Sequence, residues 1–178
     1  MPIQKMPHWV PDLWLGCLCK ARLGPAMTRS IEQNPVHASA VGVPGRGSSV
    51  SGVLILGASG SGKSALALDM ISRGATLVAD DRVVLRAEDG VLCAEAPEAI
   101  KGRIEARGIG LIQVEALERC VVRYVVDLDQ MPDQRLPAPQ TITLLRCDLP
   151  LIKGAGIPHL AQTLMVLLAG GRLEDVAP

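Results

Sequence analysis

An α/β domain, with a mixed sheet built around one glycine-fed helix, is the fold class that the sequence predicts. Three observations point to it. Gly57-Ala58-Ser59-Gly60-Ser61-Gly62-Lys63-Ser64 lies between an apolar run, Val53-Leu54-Ile55-Leu56, and a good helix former that continues from Ala65 to Ile71. Short β-prone runs punctuated by Gly, Pro and Asp fill much of the rest. Finally, the strand entering the glycine-rich segment is preceded by another strand and a short polar loop, not by a crossover helix, so the pair reads as an antiparallel hairpin.

The elements follow in order. His37 to Val43 reads as a strand, Pro44 to Ser49 as loop, and Val50 to Leu56 as the next strand. A helix from Lys63 to Ser72 ends at Gly74, a C′ glycine. Thr76-Leu77-Val78-Ala79 is a short buried strand ending in Asp80-Asp81. Arg82 to Ala87, the turn Glu88-Asp89-Gly90, and Val91 to Glu95 form a second hairpin. Val121 to Leu128 and Thr141 to Leu145 are further strands, and the stretch from Gln130 to Pro137 is loop. A last helix runs from Pro158, placed as a first-turn proline, to Ala169 before Gly170-Gly171. The total is roughly ten short strands and two main helices, with no internal repeat.

Composition narrows the function classes. With 18 basic and 18 acidic residues the net charge is zero, which argues against a nucleic-acid binder working through bulk charge. There is no Phe, one Tyr and two Trp, so the core must be aliphatic. The five cysteines are scattered; Cys17 and Cys19 lack the spacing and second ligand pair of a zinc site, and the set reads as free thiols in a reducing cytoplasm. No apolar run has the roughly 20 residues of a membrane span, and the N-terminus does not resemble a signal peptide. The expectation is a cytoplasmic protein that engages neither membrane nor nucleic acid. Residues 1–35 differ from the rest, holding both tryptophans and no clear period, and are expected to be disordered or an over-extended translation start ahead of Met27. Residues 36–178 are expected to form one folded domain.

The segment from Gly57 to Ser64 matches G-x-x-x-x-G-K-[ST]. Glycines let backbone N–H groups approach phosphate oxygens, and the following helix aims its N-terminal dipole at the anion. Lys63 supplies a mobile charge for terminal phosphates, and the Ser64 hydroxyl suits Mg²⁺. A nucleoside triphosphate is therefore the expected ligand. Asp80 and Asp81, at the end of an apolar strand, suit metal binding or removal of a proton from an attacking hydroxyl, and either could take either role. In Arg103-Ile104-Glu105-Ala106-Arg107-Gly108-Ile109-Gly110-Leu111-Ile112, Glu105 suits a metal and Arg107 a phosphate, although a plain amphipathic strand or loop fits as well.

Taken in register, Val36-His37-Ala38-Ser39, the phosphate loop, Leu77-Val78-Ala79-Asp80-Asp81-Arg82-Val83, and the segment from Ile104 to Ile112 resemble the bacterial HPr kinase/phosphorylase family over about residues 36 to 150. The resemblance implies a P-loop nucleotide-binding domain related to phosphoenolpyruvate carboxykinase. It implies an ATP- and Mg²⁺-dependent kinase for a serine of the phosphocarrier protein HPr, with phosphate-dependent reversal, acting in the phosphotransferase system to regulate carbohydrate metabolism. It also implies a hexamer. Residue by residue, it implies that Lys63 contacts the transferred phosphate and that Asp81 is base and acid, with Asp80 able to share the role. His37 is implied as an active-site histidine, Ser64 and Glu105 as metal positions, and Arg135 as a charge on the transferring group. The chain departs from the family at Ala65, where an acid is usual, at Ala106, and in Pro150-Leu151-Ile152-Lys153-Gly154-Ala155-Gly156, where the family places two arginines. The last departure makes the reverse reaction the weaker one. Two other readings of the motifs are a non-catalytic nucleotide sensor and a P-loop kinase for a small metabolite.

Overall fold

The computed structural model describes residues 34–44 and 50–170. The expectation for residues 1–35 falls, apart from its last two residues, outside the described part. Ten strands are found among the described residues: β1 (Ser39–Pro44), β2 (Val50–Leu56), β3 (Thr76–Ala79), β4 (Val84–Glu88), β5 (Val91–Glu95), β6 (Arg103–Ala106), β7 (Gly110–Gln113), β8 (Arg119–Asp127), β9 (Gln140–Leu144) and β10 (Cys147–Lys153). Two α-helices accompany them, α1 (Lys63–Ile71) and α2 (Leu160–Gly170).

Pairing runs β3-β1-β2-β8-β10-β9 across the main sheet, and the β4–β5 hairpin joins through β5 to β8. The nine-residue β8 takes β2 along one side. Its other side is shared between β5, from Arg119 to Val121, and β10, from Val125 to Asp127. β6 and β7 form a separate two-stranded sheet.

Side-chain alternation along the strands creates two apolar faces. In β2, Leu54 and Leu56 join Val78, Leu85, Val125 and Ile142 in one cluster. Val53 and Ile55 join Ala67 and Met70 of α1 and Leu160, Ala161 and Leu164 of α2 in the other. Both helices therefore cover the same face. At Gly52 an added Cβ would lie 2.3 Å from the Cys120 Sγ, so only glycine lets β2 approach β8 at this point.

The fold class expected from the sequence needs correction. The chain does not build a P-loop fold related to phosphoenolpyruvate carboxykinase. Its sheet is mixed and open, and of the paired strands only β2–β8 and β8–β10 run parallel. No helix alternates with each strand; α1 leads to β3, which pairs antiparallel with β1 at the far side of the hairpin. The hairpin reading of β1 and β2 holds. Helix α2 begins later than expected, because His159 has a left-handed backbone (φ +56°) that no first-turn residue adopts. The His159 carbonyl accepts from Thr163 N at 3.1 Å, making His159 the cap and leaving Pro158 outside the helix. The strand β10 was not anticipated; Pro150 interrupts its β signal.

Strand directions place the site. β3 and β2 each run antiparallel to β1, and β8 runs parallel to β2. The C-terminal ends of β2, β3 and β8 and the N-terminal end of β1 therefore meet at one edge. From that edge emerge the phosphate loop, Asp80-Asp81, the turn after Asp127, and His37.

Candidate functional site

A cavity of about 490 Å³ opens at this edge. Its walls include Gly60, Gly62, Lys63 and Ser64 of the loop and α1, His37 before β1, Asp80 and Asp81 after β3, and Arg103, Glu105 and Arg107 of the β6–β7 hairpin. The hairpin supplies its charges by alternation. Ile104 and Ala106 are buried, with Ile104 in the helix-side cluster, while Arg103 and Glu105 face outward.

The loop has the backbone its glycines permit. Gly57, Gly60 and Gly62 take φ of +151°, +83° and +97°, in the range that disfavours a side chain. A Cβ at Gly62 would meet nothing within 4 Å, and one at Gly60 would meet only the Arg107 Nη2 at 3.7 Å. Both glycines and the Arg107 guanidinium line the cavity, an arrangement that fits a polyanion.

Lys63 is 6% exposed and donates to three acceptors: the carbonyls of Gly57 (2.9 Å) and Ala58 (2.8 Å) and the His37 Nε2 (3.0 Å). An ammonium has no lone pair to offer, so the His37 Nε2 must be the acceptor and the ring proton must sit on Nδ1. Nδ1 accordingly donates to the Asp81 carbonyl at 3.0 Å and lies 3.2 Å from the Asp81 Oδ1. His37 therefore bridges the lysine and the second aspartate.

The paired acids differ. Asp80 is 5% exposed. Its Oδ1 accepts from the Ser39 Oγ (2.5 Å) and the Ser64 Oγ (2.9 Å), and its Oδ2 from the Glu105 N (3.1 Å). One carboxylate thereby ties β1, the start of α1 and β6 together. Asp81 has a left-handed backbone (φ +68°) that turns its carboxylate outward, and that side chain is 68% exposed. The geometry gives one carboxylate to the scaffold and leaves the other at the surface of the cavity.

Among the expected residues, the structure brings together the loop, His37, Lys63, Ser64, Asp80, Asp81 and Glu105. It does not bring Arg135 to them. Arg135 lines a second cavity of about 440 Å³ with Pro137, Leu151, Lys153, Leu160 and Leu164. Lys153 is itself paired with Asp133 at 2.6 Å. Sequence reasoning overlooked Asp127 and Asp129. The Asp129 carboxylate accepts the Ala58 N–H at 2.9 Å on each oxygen. Asp127, 1% exposed, accepts from the Asp129 N (2.9 Å) and the Gln130 Nε2 (2.6 Å). The available signal was an acid ending a strongly β-prone run and a second acid two residues on.

No group of three or more His, Cys, Asp or Glu side chains that could hold a metal is present among the described residues. The donors at the cavity suit Mg²⁺ arriving with a nucleotide, since that ion takes one or two protein oxygens and fills its shell from phosphates and water. The Ser64 hydroxyl spends its proton on Asp80, leaving its lone pairs to face the cavity. No helix among the described residues is long and apolar enough to cross a membrane.

Fold and site together define an open mixed-sheet α/β domain with a phosphate loop heading one helix and an aspartate pair beside it. The family model described as the HPr serine kinase C-terminal domain matches residues 30–122, and the chain belongs to that family. Its fold is that family's own, which overturns the expected relation to phosphoenolpyruvate carboxykinase. The chain is similar to the HPr kinase/phosphorylase of Clostridium kluyveri, 52% identical over 66 residues that cover 37% of this chain and 21% of that protein. It is also similar to the HPr kinase/phosphorylase of Prosthecochloris aestuarii, 38% identical over 115 residues, or 57% of this chain and 34% of that protein. The chain thus spans between about a fifth and about a third of the length of these relatives. A solved structure, the Hpr(Ser) kinase/phosphatase from Coxiella burnetii, superposes with a TM-score of 0.65 at 28% identity, covering 80% of this chain and 98% of that one.

Proposed function

We propose that the protein is an ATP- and Mg²⁺-dependent serine kinase acting on the phosphocarrier protein HPr, with a weaker phosphate-dependent reversal, and that it regulates carbohydrate metabolism from the cytoplasm as a homo-oligomer. The observation that carries the reading is the division of the aspartate pair beside the loop: Asp80 is buried and bonded, and Asp81 is exposed and joined to Lys63 through His37.

When bound, MgATP supplies the phosphoryl group and the charge of the metal. Ser64, held by Asp80, and Glu105 would be the protein's oxygens on that metal. Asp81 accepts the proton of the incoming serine hydroxyl, and His37 holds the Asp81 main chain through Nδ1. Lys63 exchanges its carbonyl partners for phosphate oxygens, while Arg107 offers a second cation across the loop. Arg135, on a different face, takes no part in this arrangement within one copy. Reversal needs a second anion site, and the distal Lys153 is already committed to Asp133.

The test is ATP turnover with and without HPr, followed by incubation of serine-phosphorylated HPr with millimolar phosphate and no ATP. HPr-dependent transfer to serine, faster than dephosphorylation, is expected. Nucleotide binding without transfer would replace the kinase with a nucleotide sensor, and transfer to a small metabolite would replace HPr as the acceptor.

A further inference from the structure

The geometry points to Asp129 as a positioning residue for the phosphate loop, an inference that rests on the nucleotide-binding reading above. The peptide at Gly57-Ala58 is gripped from two sides. Lys63 takes its two carbonyls, and the Asp129 carboxylate takes the Ala58 N–H symmetrically at 2.9 Å from both oxygens. These grips differ in fate. For Lys63 to meet a phosphate it must release the carbonyls, whereas the Ala58 N–H keeps its acceptor throughout. Asp129 is thus the hold on the loop's first turn that survives nucleotide entry.

The hold is only as firm as its mount, and this mount is rigid. Leu128 N donates to the Leu56 carbonyl at 2.9 Å, which extends the β2–β8 pairing to the mouth of the loop. Asp127 accepts from the Asp129 N and the Gln130 Nε2, and its carbonyl accepts from Gly154 N at 2.8 Å. The Gln130 carbonyl accepts from Ala155 N at 3.0 Å. The turn after β8 is therefore fixed to the end of β10. Gly57 packs closely there, for a Cβ on it would lie 2.4 Å from the Ser61 Oγ and 3.3 Å from the Leu128 Cβ.

Asp129 also carries a negative charge beside a site for a polyanion. If charge were its main effect, removing it would tighten nucleotide binding. If positioning is its main effect, removing the acceptor loosens binding. Asparagine separates the two, because it keeps a carbonyl acceptor for Ala58 and discards the charge.

The experiment compares Asp129→Asn and Asp129→Ala with the unaltered chain. The readouts are MgATP affinity by calorimetry, amide hydrogen exchange at Ala58 without nucleotide, and thermal unfolding to establish that each variant folds. Asp129→Ala is expected to lose protection at Ala58 and to bind MgATP roughly tenfold more weakly, the loss that accompanies one charge-assisted hydrogen bond. Asp129→Asn is expected to retain both protection and affinity, or to bind more tightly. Unchanged or tighter MgATP binding in Asp129→Ala overturns the inference, as does unchanged exchange at Ala58. Failure of the unaltered chain to bind MgATP would instead remove the functional reading, and loss of Ala58 protection in Asp129→Ala would still establish the hold on the loop.

Discussion

Replacing Asp80 separates its scaffolding role from any chemistry. In Asp80→Ala, three donors lose a charged acceptor: the Ser39 Oγ, the Ser64 Oγ and the Glu105 N. A hydrogen bond to a charged group contributes about 1.5–3 kcal/mol. Ser39 is fully buried and has no access to water, whereas Ser64 and Glu105 border the cavity and can be rehydrated. The net loss should therefore be about 3–5 kcal/mol, a large share of the 5–15 kcal/mol that holds a domain together. At about 3 °C per kcal/mol, Tm should fall by about 10–15 °C.

Asp80→Asn should behave differently. Its carbonyl can accept from the Glu105 N while its amide donates to the two serine hydroxyls, which can turn to accept. Folding then survives with a loss of about 1 kcal/mol. However, the Ser64 lone pair now faces an amide, so the Mg²⁺ dependence of ATP binding should weaken. The control is Asp81→Asn, an exposed position where Asn tolerates the left-handed backbone. Thermal unfolding of the three variants, with and without MgATP, provides the assay. A Tm for Asp80→Ala within about 3 °C of the control, roughly 1 kcal/mol, would refute the reasoning.

Three further outcomes are expected. Lys63→Ala should lower phosphotransfer by roughly 10²–10³-fold and weaken ATP binding, measured by turnover and calorimetry, because Arg107 across the loop would be left to meet the phosphates without it. Asp81→Asn should keep ATP affinity and reduce transfer to HPr by roughly 10²–10⁴-fold in a single-turnover assay; a milder effect than that of Asp80→Asn would reverse the two roles. Burial, with a smaller contribution from Cys93, pushes the Cys120 thiol from 9.0 up to about 12, so its stabilising effect is complete below pH 9 and disappears as pH rises toward 12. Alkaline denaturation should steepen there by up to about 1.4 kcal/mol per pH unit, and Cys120→Ala should remove that component.

Much of the site was legible because its chemistry is local. The loop, its helix and Asp80-Asp81 lie on contiguous segments whose glycines, apolar run and terminal acids each have a short-range cause. The distinction between the two aspartates was not legible. It arises from the left-handed backbone at Asp81 and from Ser39, which lies on another strand. Asp129 was missed for a similar reason, since its role depends on β8 lying parallel to β2, a pairing between segments far apart in sequence. Arg135 shows the converse: a motif match could suggest a role, but the loop that bears it lies over β10 and α2 rather than at the cavity. The fold class went astray because a phosphate loop fixes one turn and one helix and leaves the strand order around them free.

The state of Lys63 bears on how binding and chemistry are linked. Its three acceptors are all supplied by the protein, so no free ammonium waits for the nucleotide. For phosphate oxygens to take their places, the ammonium must trade neutral acceptors for anionic ones, and the gain is the added attraction between opposite charges. His37 makes that exchange visible at Asp81. Once Lys63 leaves Nε2, that nitrogen regains a free lone pair while Nδ1 still faces the Asp81 carbonyl and carboxylate. On the proposed reading, entry of the nucleotide at the loop would reach Asp81 through this one ring.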